Sequence, residues 1–584
     1  MQNLPKHAKY KQYYKPNDTY WGLGVEHETY LETSKLKQVS LQDLKENNKR
    51  ERYCVDYLTI YDKEQLSKTL DGLFEKEKPV LIPILMNSHS FQRTDINGEH
   101  KTTYERIPKP NPKFNGKTIF EWIQEENPDL FKEEFDKSYL FDGDTLEFTT
   151  QKFYKATVMD VLHELVSIEK DFLRGLNSLP REGLFKTYAP FKISEKNYGF
   201  ASYLTNLKNN AMFNNGTIHI NITLPTKLNE SGEVKDFTEF KKKHQNYARA
   251  IQWLSPLIVA KYGSPDPLCE SKEQGELFSA GSQRVAVSRY IGLGTYDTDR
   301  MELGKILTKP RSELSDINWY ESFHEKSGYK FLEELGMDIN FNKHYAHGIE
   351  LRILDSLPIS DLQEVMTALI YLADYSLVYT VPNPKKSRVW HKVARNSVHD
   401  GKGYFIEASD QNELYELFGI YHSSKEPLAV NEVYDIIANE LMKQYKMCEC
   451  TQAMIFGNYE EIKPVPKTPP PTPASTISLN DNESHPRLSI ISKNSLGALN
   501  LIDNRPTLET IPEISTITDS TTVKTEVSVS TTSQLLTPKS SLLFGNILTT
   551  VKGELKEAPK EELKEKTEKE STLIAFKKPK WWCC

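Results

Sequence analysis

The residues of this 584-residue chain best suited to chemistry sit on short segments in which polar and apolar residues alternate. In Gly22–Tyr30, period-2 geometry puts Glu26 and Glu28 on one face beside Gly22 and Gly24, which leave room for something bulky. Leu23, Val25 and His27 face the other way. In Gly216–Pro225, Thr217, His219, Asn221 and Thr223 stand opposite Ile218, Ile220, Ile222 and Leu224. In Gly348–Asp355, Glu350 and Arg352 share a face opposite Ile349, Leu351 and Ile353. A fourth stretch, Asp142–Thr150, adds Glu147 on a predicted strand.

Taken singly, each segment is what the solvent side of an antiparallel strand looks like. Together they say more. Carboxylates two apart on one face repel each other unless a cation lies between them, so a sheet that gathers Glu26, Glu28, Glu147 and Glu350 calls for divalent metal. Hard oxygen ligands with one histidine, His219, suit magnesium or manganese holding phosphates. Arg352 beside Glu350 supplies the planar donor that phosphate oxygens need.

The elements that must position these residues are legible around them. Val158, Val161, Leu162, Leu165, Ile168 and Phe172 keep a period near 3.6 and predict a helix after the Glu147 strand. Ser360-Asp-Leu-Gln363 reads as a capping box opening an apolar helix that runs toward Tyr379. Strands and helices in this order predict an α+β fold. Other chemistries lack their signatures: there is no Gly-x4-Gly-Lys-Ser/Thr loop, the Gly-Leu-Gly triplets are too short for a dinucleotide fingerprint, and no Gly-x-Ser-x-Gly elbow occurs. His344 and His347 have no carboxylate at zinc-peptidase spacing and read as part of a loop. Cys54 and Cys269 carry no local nucleophile signature, and the Cys448–Cys450 pair has no companion pair at zinc-finger spacing. With 74 Lys and Arg against 81 Asp and Glu, no global field advertises nucleic acid, and none is expected as a partner.

In Gly24-Val-Glu26-His-Glu28 the chain resembles the opening strand of glutamate-cysteine ligases and related carboxylate-amine ligases, which share the catalytic fold of glutamine synthetase. Leu146-Glu147-Phe-Thr-Thr resembles that family's next metal-binding strand, and Thr217-Ile-His219-Ile-Asn221 its histidine-bearing strand. The run Tyr247–Pro265 resembles the helix and Ser-Pro turn of the eukaryotic enzymes, Ser288-Arg289-Tyr290 their Ser-Arg-Tyr, and Ile349-Glu350-Leu-Arg352 their Glu-Phe-Arg. By motif order the resemblance spans roughly residues 15 to 385. It implies a curved antiparallel sheet of glutamine-synthetase type with helices outside, and a concave face holding ATP with magnesium. It also implies an amino-acid carboxylate and an amine as substrates, joined through an acyl phosphate. On that resemblance Glu26, Glu28, Glu147, His219 and Glu350 hold metal, with His219 also beside the nucleotide. Arg352 takes phosphate charge, Arg289 a substrate carboxylate or developing phosphate, and Asn221 donates to nucleotide or substrate. An inactive ligase-derived scaffold and a small-molecule kinase on the same face stay open.

Two regions stand apart from this core. Residues 86–137, rich in Pro, Asn and charge, are expected to form a lid or insertion over the site. Folding capacity is expected to end near residue 460, because all 30 tyrosines lie at or before Tyr459, and only Phe544, Phe576, Trp581 and Trp582 follow as aromatics. The remainder, 461–584, opens with six prolines between Pro464 and Pro473, continues Ser/Thr-rich and charged, and is expected to be disordered. The end, Lys577-Lys-Pro-Lys580-Trp-Trp-Cys-Cys584, resembles doubly prenylated tails. Lipid on Cys583 and Cys584 would give reversible peripheral membrane contact. The start lacks a secretory signal and no 18-residue apolar run exists, so a cytoplasmic location is expected.

Overall fold

The alternating segments are strands of one sheet. A computed structural model of the protein describes residues 19–47, 70–72, 74, 78–103, 109–131, 138–194, 197–212, 216–230, 234–265, 280–284, 339–341, 348–445 and 453–455. Arg289 and its Ser-Arg-Tyr neighbours, His344, His347, the Cys448–Cys450 pair, Cys54, Cys269, the 461–584 tail and Cys583 and Cys584 lie outside the described residues.

In chain order the strands are β1 (Thr19–Thr29), β2 (Leu31–Val39), β3 (Val80–Met86), β4 (Thr102–Thr103), β5 (Lys109–Pro110), β6 (Tyr139–Asp142) and β7 (Thr145–Thr149). Next come β8 (Lys192–Ile193), β9 (Phe200–Tyr203), β10 (Asn206–Met212), β11 (Thr217–Lys227), β12 (Ile339–Phe341), β13 (Ile349–Asp355), β14 (Phe405–Ile406) and β15 (Leu428–Ala429). Six of them form one sheet in the order β12-β13-β11-β1-β7-β6, with every neighbouring pair antiparallel. A second sheet, β10-β9-β3-β2-β8, is mixed, because β3 and β9 run parallel. With long helices beside both, the fold is α+β with open sheets.

One face of the first sheet is the core face. Leu23, Val25, Leu146, Phe148, Ile218, Ile220, Ile222, Ile349, Leu351 and Ile353 are all buried, as period-2 alternation requires. Helix Val158–Asn177 packs on β1 and β7 through Val158, Val161, Leu162, Leu165, Ile168, Phe172 and Leu176. Each such side chain is worth about 1.5–3 kcal/mol of transfer free energy. Its start is a capping box that the heptad-like pattern alone does not announce: Thr157 Oγ1 accepts from the Asp160 amide, and the Asp160 carboxylate accepts from the Thr157 amide.

Helix Phe237–Tyr262 lies on β11 and β13 and carries Pro256 in its interior. A proline there has no N–H for the carbonyl four residues back, that of Gln252. The buried indole of Trp390, on helix Arg388–Asp400, donates to that carbonyl at 2.7 Å and satisfies it. Helix Ile359–Val378 packs on helix Phe237–Tyr262 and also meets helix Val158–Asn177 and helix Val430–Tyr445. It starts one residue before Ser360, with Pro358 at the cap and no side-chain cap bond, so the Ser360–Gln363 capping box does not form. The proline sets the entry backbone instead.

The described part of 86–137 belongs to the same core. Phe91 in helix Ser88–Arg93, Ile119 and Ile123 in helix Ile119–Glu126, and Phe131 are buried there. Phe131 meets Phe141 of β6 and Phe172 at ring-centroid distances of 5.1 and 5.5 Å. Ser88 binds the carbonyls of Gly143 and Asp144, so this segment buttresses the β6–β7 turn.

Candidate metal centre on the acidic face

The opposite face of the six-stranded sheet gathers the site. Register places Glu26 of β1 beside His219 of β11, Glu28 beside Thr217, and Gly24 beside Asn221. Across the other edge of β1, Glu28 pairs with Glu147 of β7. Beyond β11, Asn221 pairs with Glu350 of β13. Every sequence-predicted site residue among those described therefore lies on neighbouring strands of one face: Glu26, Glu28, Glu147, His219, Asn221, Glu350 and Arg352. The remaining one, Arg289, lies outside the described residues.

The centre of the cluster is a single nitrogen. His219 Nδ1 lies 3.3 Å from Glu26 Oε2, 3.7 Å from Glu28 Oε1 and 3.7 Å from Glu350 Oε1. Asn221 Nδ2 donates to Glu26 Oε1 at 3.3 Å, and Arg352 Nη1 stands 3.5 Å from Glu350 Oε1. Glu26, His219, Asn221 and Glu350 are buried. Asn221 is thus tied to a carboxylate of the cluster, which holds that carboxylate in place.

A second carboxylate group adjoins the first. Ligand oxygens of Glu28, Asp142 and Glu147 lie within 4.8 Å of one another, as do the ligand atoms of Glu26, His219 and Glu350. Donor atoms on opposite sides of a cation bound at 2.0–2.5 Å are about 4–5 Å apart, so both groups fit the coordination distances of magnesium or manganese. Thr217 Oγ1 donates to Glu28 at 2.6 Å and Thr149 Oγ1 to Glu147 at 2.7 Å, orienting two of the three carboxylates of the second group.

Asp142 is a candidate ligand that sequence reading missed. Asp142–Thr150 reads as one strand, whereas the chain folds there into a hairpin, with Asp142 paired to Thr145 and a two-residue turn of Gly143 and Asp144. Gly143 has φ +57°, which glycine adopts without steric cost. The Gly143-Asp144 pair was the available signal, because glycine at the first position of a two-residue loop favours a tight hairpin turn and so returns Asp142 to the sheet edge beside Glu147.

Electrostatics divides the carboxylates. Burial alone would raise Glu28, but the charges of His219, Arg284 and Arg352 and the Thr217 hydroxyl outweigh it and hold the group at about 2. Glu147 is pushed up to about 7 by burial and then by the charges of Glu26 and Glu28. Asp142 is raised by burial and by Glu28. Asp144, in the turn, is pushed up to about 7 by burial. A face that holds acids near neutrality in this way is one that a cation stabilises.

The room beside Gly22 and Gly24 is taken by the protein itself. A Cβ on Gly22 would come 2.0 Å from Phe153 Cε1, and one on Gly24 would come 3.2 Å from Phe153 Cδ2. Phe153 is buried, so its ring closes this end of the face. Beneath the face, His27 Nδ1 meets Glu169 Oε1 at 2.7 Å and Nε2 meets Ser356 Oγ at 3.2 Å, linking β1 to helix Val158–Asn177 and to the end of β13.

No family model matches the chain. It is 37% identical over 451 residues to "Uncharacterized protein R704" of Acanthamoeba polyphaga mimivirus, an alignment covering 76% of this chain and 79% of that protein. The chain belongs to the same family as this mimivirus protein. No helix among the described residues is long and apolar enough to cross a membrane.

Proposed function

We propose that the chain is an ATP- and magnesium-dependent carboxylate-amine ligase whose six-stranded sheet is of the glutamine-synthetase type. The observation that carries this reading is the set of three carboxylates within 3.7 Å of His219 Nδ1, with Arg352 at 3.5 Å from one of them. Glu26, His219 and Glu350 would hold one cation, and Glu28, Asp142 and Glu147 a second. Magnesium there would draw charge from a triphosphate and leave its terminal phosphoryl group open to a substrate carboxylate. Arg352 faces the same region and takes up phosphoryl charge. Arg289 is assigned the substrate carboxylate on the resemblance of its motif. The carboxylate oxygen would attack the terminal phosphorus as its bond to ADP breaks, giving an acyl phosphate and ADP, and an amine, losing a proton, would then displace phosphate from the acyl carbon to give an amide. Glutamate with cysteine, or with another amine, is the pair to try first.

The test is phosphate release from ATP by the full chain with magnesium and glutamate, with and without a panel of amines that includes cysteine. A Glu26→Ala, Glu28→Ala variant serves as control. Release that requires both substrates and disappears in the control is the expected result. Release indifferent to amine would replace the ligase with a kinase. Absence of nucleotide binding would leave a scaffold.

A further inference from the structure

Arg284 belongs to none of the sequence motifs, yet it is built into the wall of the acidic face. The starting point is Asp355, the last residue of β13, whose carboxylate is buried. Its two oxygens accept from the Ser282 hydroxyl at 2.6 Å, the amides of Arg284 at 2.9 Å and Ser264 at 3.1 Å, and Asn197 Nδ2 at 3.2 Å. Three separate stretches of chain are thereby clamped to one carboxylate. Thr217, the register partner of Asp355, is the residue whose hydroxyl binds Glu28. Arg284 is then fixed a second time, because its Nε donates to the carbonyl of Arg352 at 3.1 Å. The guanidinium is held against the strand that carries Glu350 and Arg352, and its charge, like that of Arg352, favours the ionised form of Glu28.

Charge balance says what such a group does. With two divalent cations bound, the cations and Arg352 just neutralise Glu26, Glu28, Asp142, Glu147 and Glu350, with His219 a neutral ligand. Arg284 adds one positive charge at the edge of the loaded face, with the buried Asp355 carboxylate that anchors it as its counter-charge. Half-buried and clamped at its backbone amide and at its side chain, Arg284 is held in one orientation, which suits its planar fork to an anionic oxygen.

We infer that Arg284 is a second oxyanion-binding residue of this face, and that Asp355 is the positioning residue that holds it there. This rests on the ligase reading above. The ligand chemistry is an anionic oxygen group, either a phosphoryl oxygen of the metal-bound nucleotide or the carboxylate of the donor substrate.

The experiment measures binding to the full chain of Mn2+ alone, of Mg-ATP, of Mg-ADP and of glutamate, in the wild type and in Arg284→Gln, Arg284→Lys and Asp355→Asn. Arg284→Gln is expected to weaken one oxyanion ligand by about ten- to a hundredfold, the range for losing a hydrogen bond to a charged group. It should leave Mn2+ binding unchanged or tighter, because a positive charge beside Glu28 is gone. Loss for Mg-ATP but not Mg-ADP assigns the terminal phosphoryl group, and loss for glutamate assigns the carboxylate. Arg284→Lys keeps the charge without the planar fork and should recover part of the affinity. Asp355→Asn should shift oxyanion binding in the same direction as Arg284→Gln. Parallel loss of Mn2+ and oxyanion binding would reduce Arg284 to a structural role and overturn the inference, as would unchanged oxyanion binding. A wild type that binds Mn2+ but no nucleotide or glutamate would overturn the ligase reading itself. Should Arg284→Gln fail to fold, Arg284→Lys decides, since a structural role would leave its oxyanion affinity at the wild-type value.

Discussion

Glu28 and Glu147 face each other across β1 and β7, and their surroundings push them in opposite directions. The consequence for pH has a definite sign. Glu147 is raised from 4.5 to about 7, so in the metal-free protein its contribution to stability is present in acid and is lost as pH climbs through that window. Glu28, held at about 2, contributes stability above pH 4.5 that disappears only as pH falls toward 2. Metal must displace the proton from Glu147, so magnesium should raise the melting temperature more at pH 8 than at pH 5. Titration calorimetry near pH 6.5 in two buffers of different ionisation enthalpy should register proton release on binding. A magnesium-induced shift independent of pH would refute the assignment of Glu147 as a ligand. The threonines behind the ligands matter by the same logic. Thr217→Val removes the 2.6 Å hydroxyl from Glu28 and should lower Mn2+ affinity about tenfold, readable by paramagnetic titration, with the melting temperature little changed.

Strands and helices were legible wherever one face was buried and the other chemically loaded. β1, β11 and β13 alternate around Glu26, His219 and Glu350, and their register brings those residues together even though the β11–β13 pairing shifts between Ile218 and Ile220. What stayed hidden has physical reasons. The β6–β7 hairpin stayed hidden because the stretch was read as one strand, on which Asp142 and Glu147, five residues apart, fall on opposite faces; only the turn brings them to the same one. The second sheet escaped because β8 and β9 are short and β2 keeps a run of polar residues, Glu32 to Lys35, in its middle. Arg284 escaped because a lone arginine carries no period. Phe153 could not be foreseen as the occupant of the Gly22–Gly24 space, since the contact is made only after the chain turns back over β1. That contact is testable: Gly22→Ala puts a methyl 2.0 Å from the ring and should destabilise by about 1–3 kcal/mol in urea unfolding, whereas relief by a second change, Phe153→Leu, should recover part of it. Trp390 offers a comparison free of steric strain. Trp390→Phe keeps most of the buried ring but strands the Gln252 carbonyl released by Pro256, at about 1–3 kcal/mol. Pro256→Ala in the same background supplies the missing amide and should restore stability.

At the scale of the whole molecule, the aromatic residues mark where packing is expected to stop. The last described core residues are Met454 and Ile455, and the sequence beyond Tyr459 keeps only four aromatics in 125 residues. From such a composition little apolar burial is expected, so it should add little to the stability of the body. Each site residue described, from Glu26 to Arg352, also lies far upstream of that point in the chain. A chain ending at residue 460 should therefore keep its melting temperature within about 1–2 °C, the shift that a loss of roughly 1 kcal/mol would produce in a body this size, and should bind Mg-ATP as the full chain does. Scanning calorimetry and nucleotide titration on both lengths check this. A drop of many degrees would mean that the tail completes the core. Unchanged melting with weakened nucleotide binding would mean instead that the tail reaches the acidic face and acts on the reaction, and residues 461–584 would then have to be counted as part of the site.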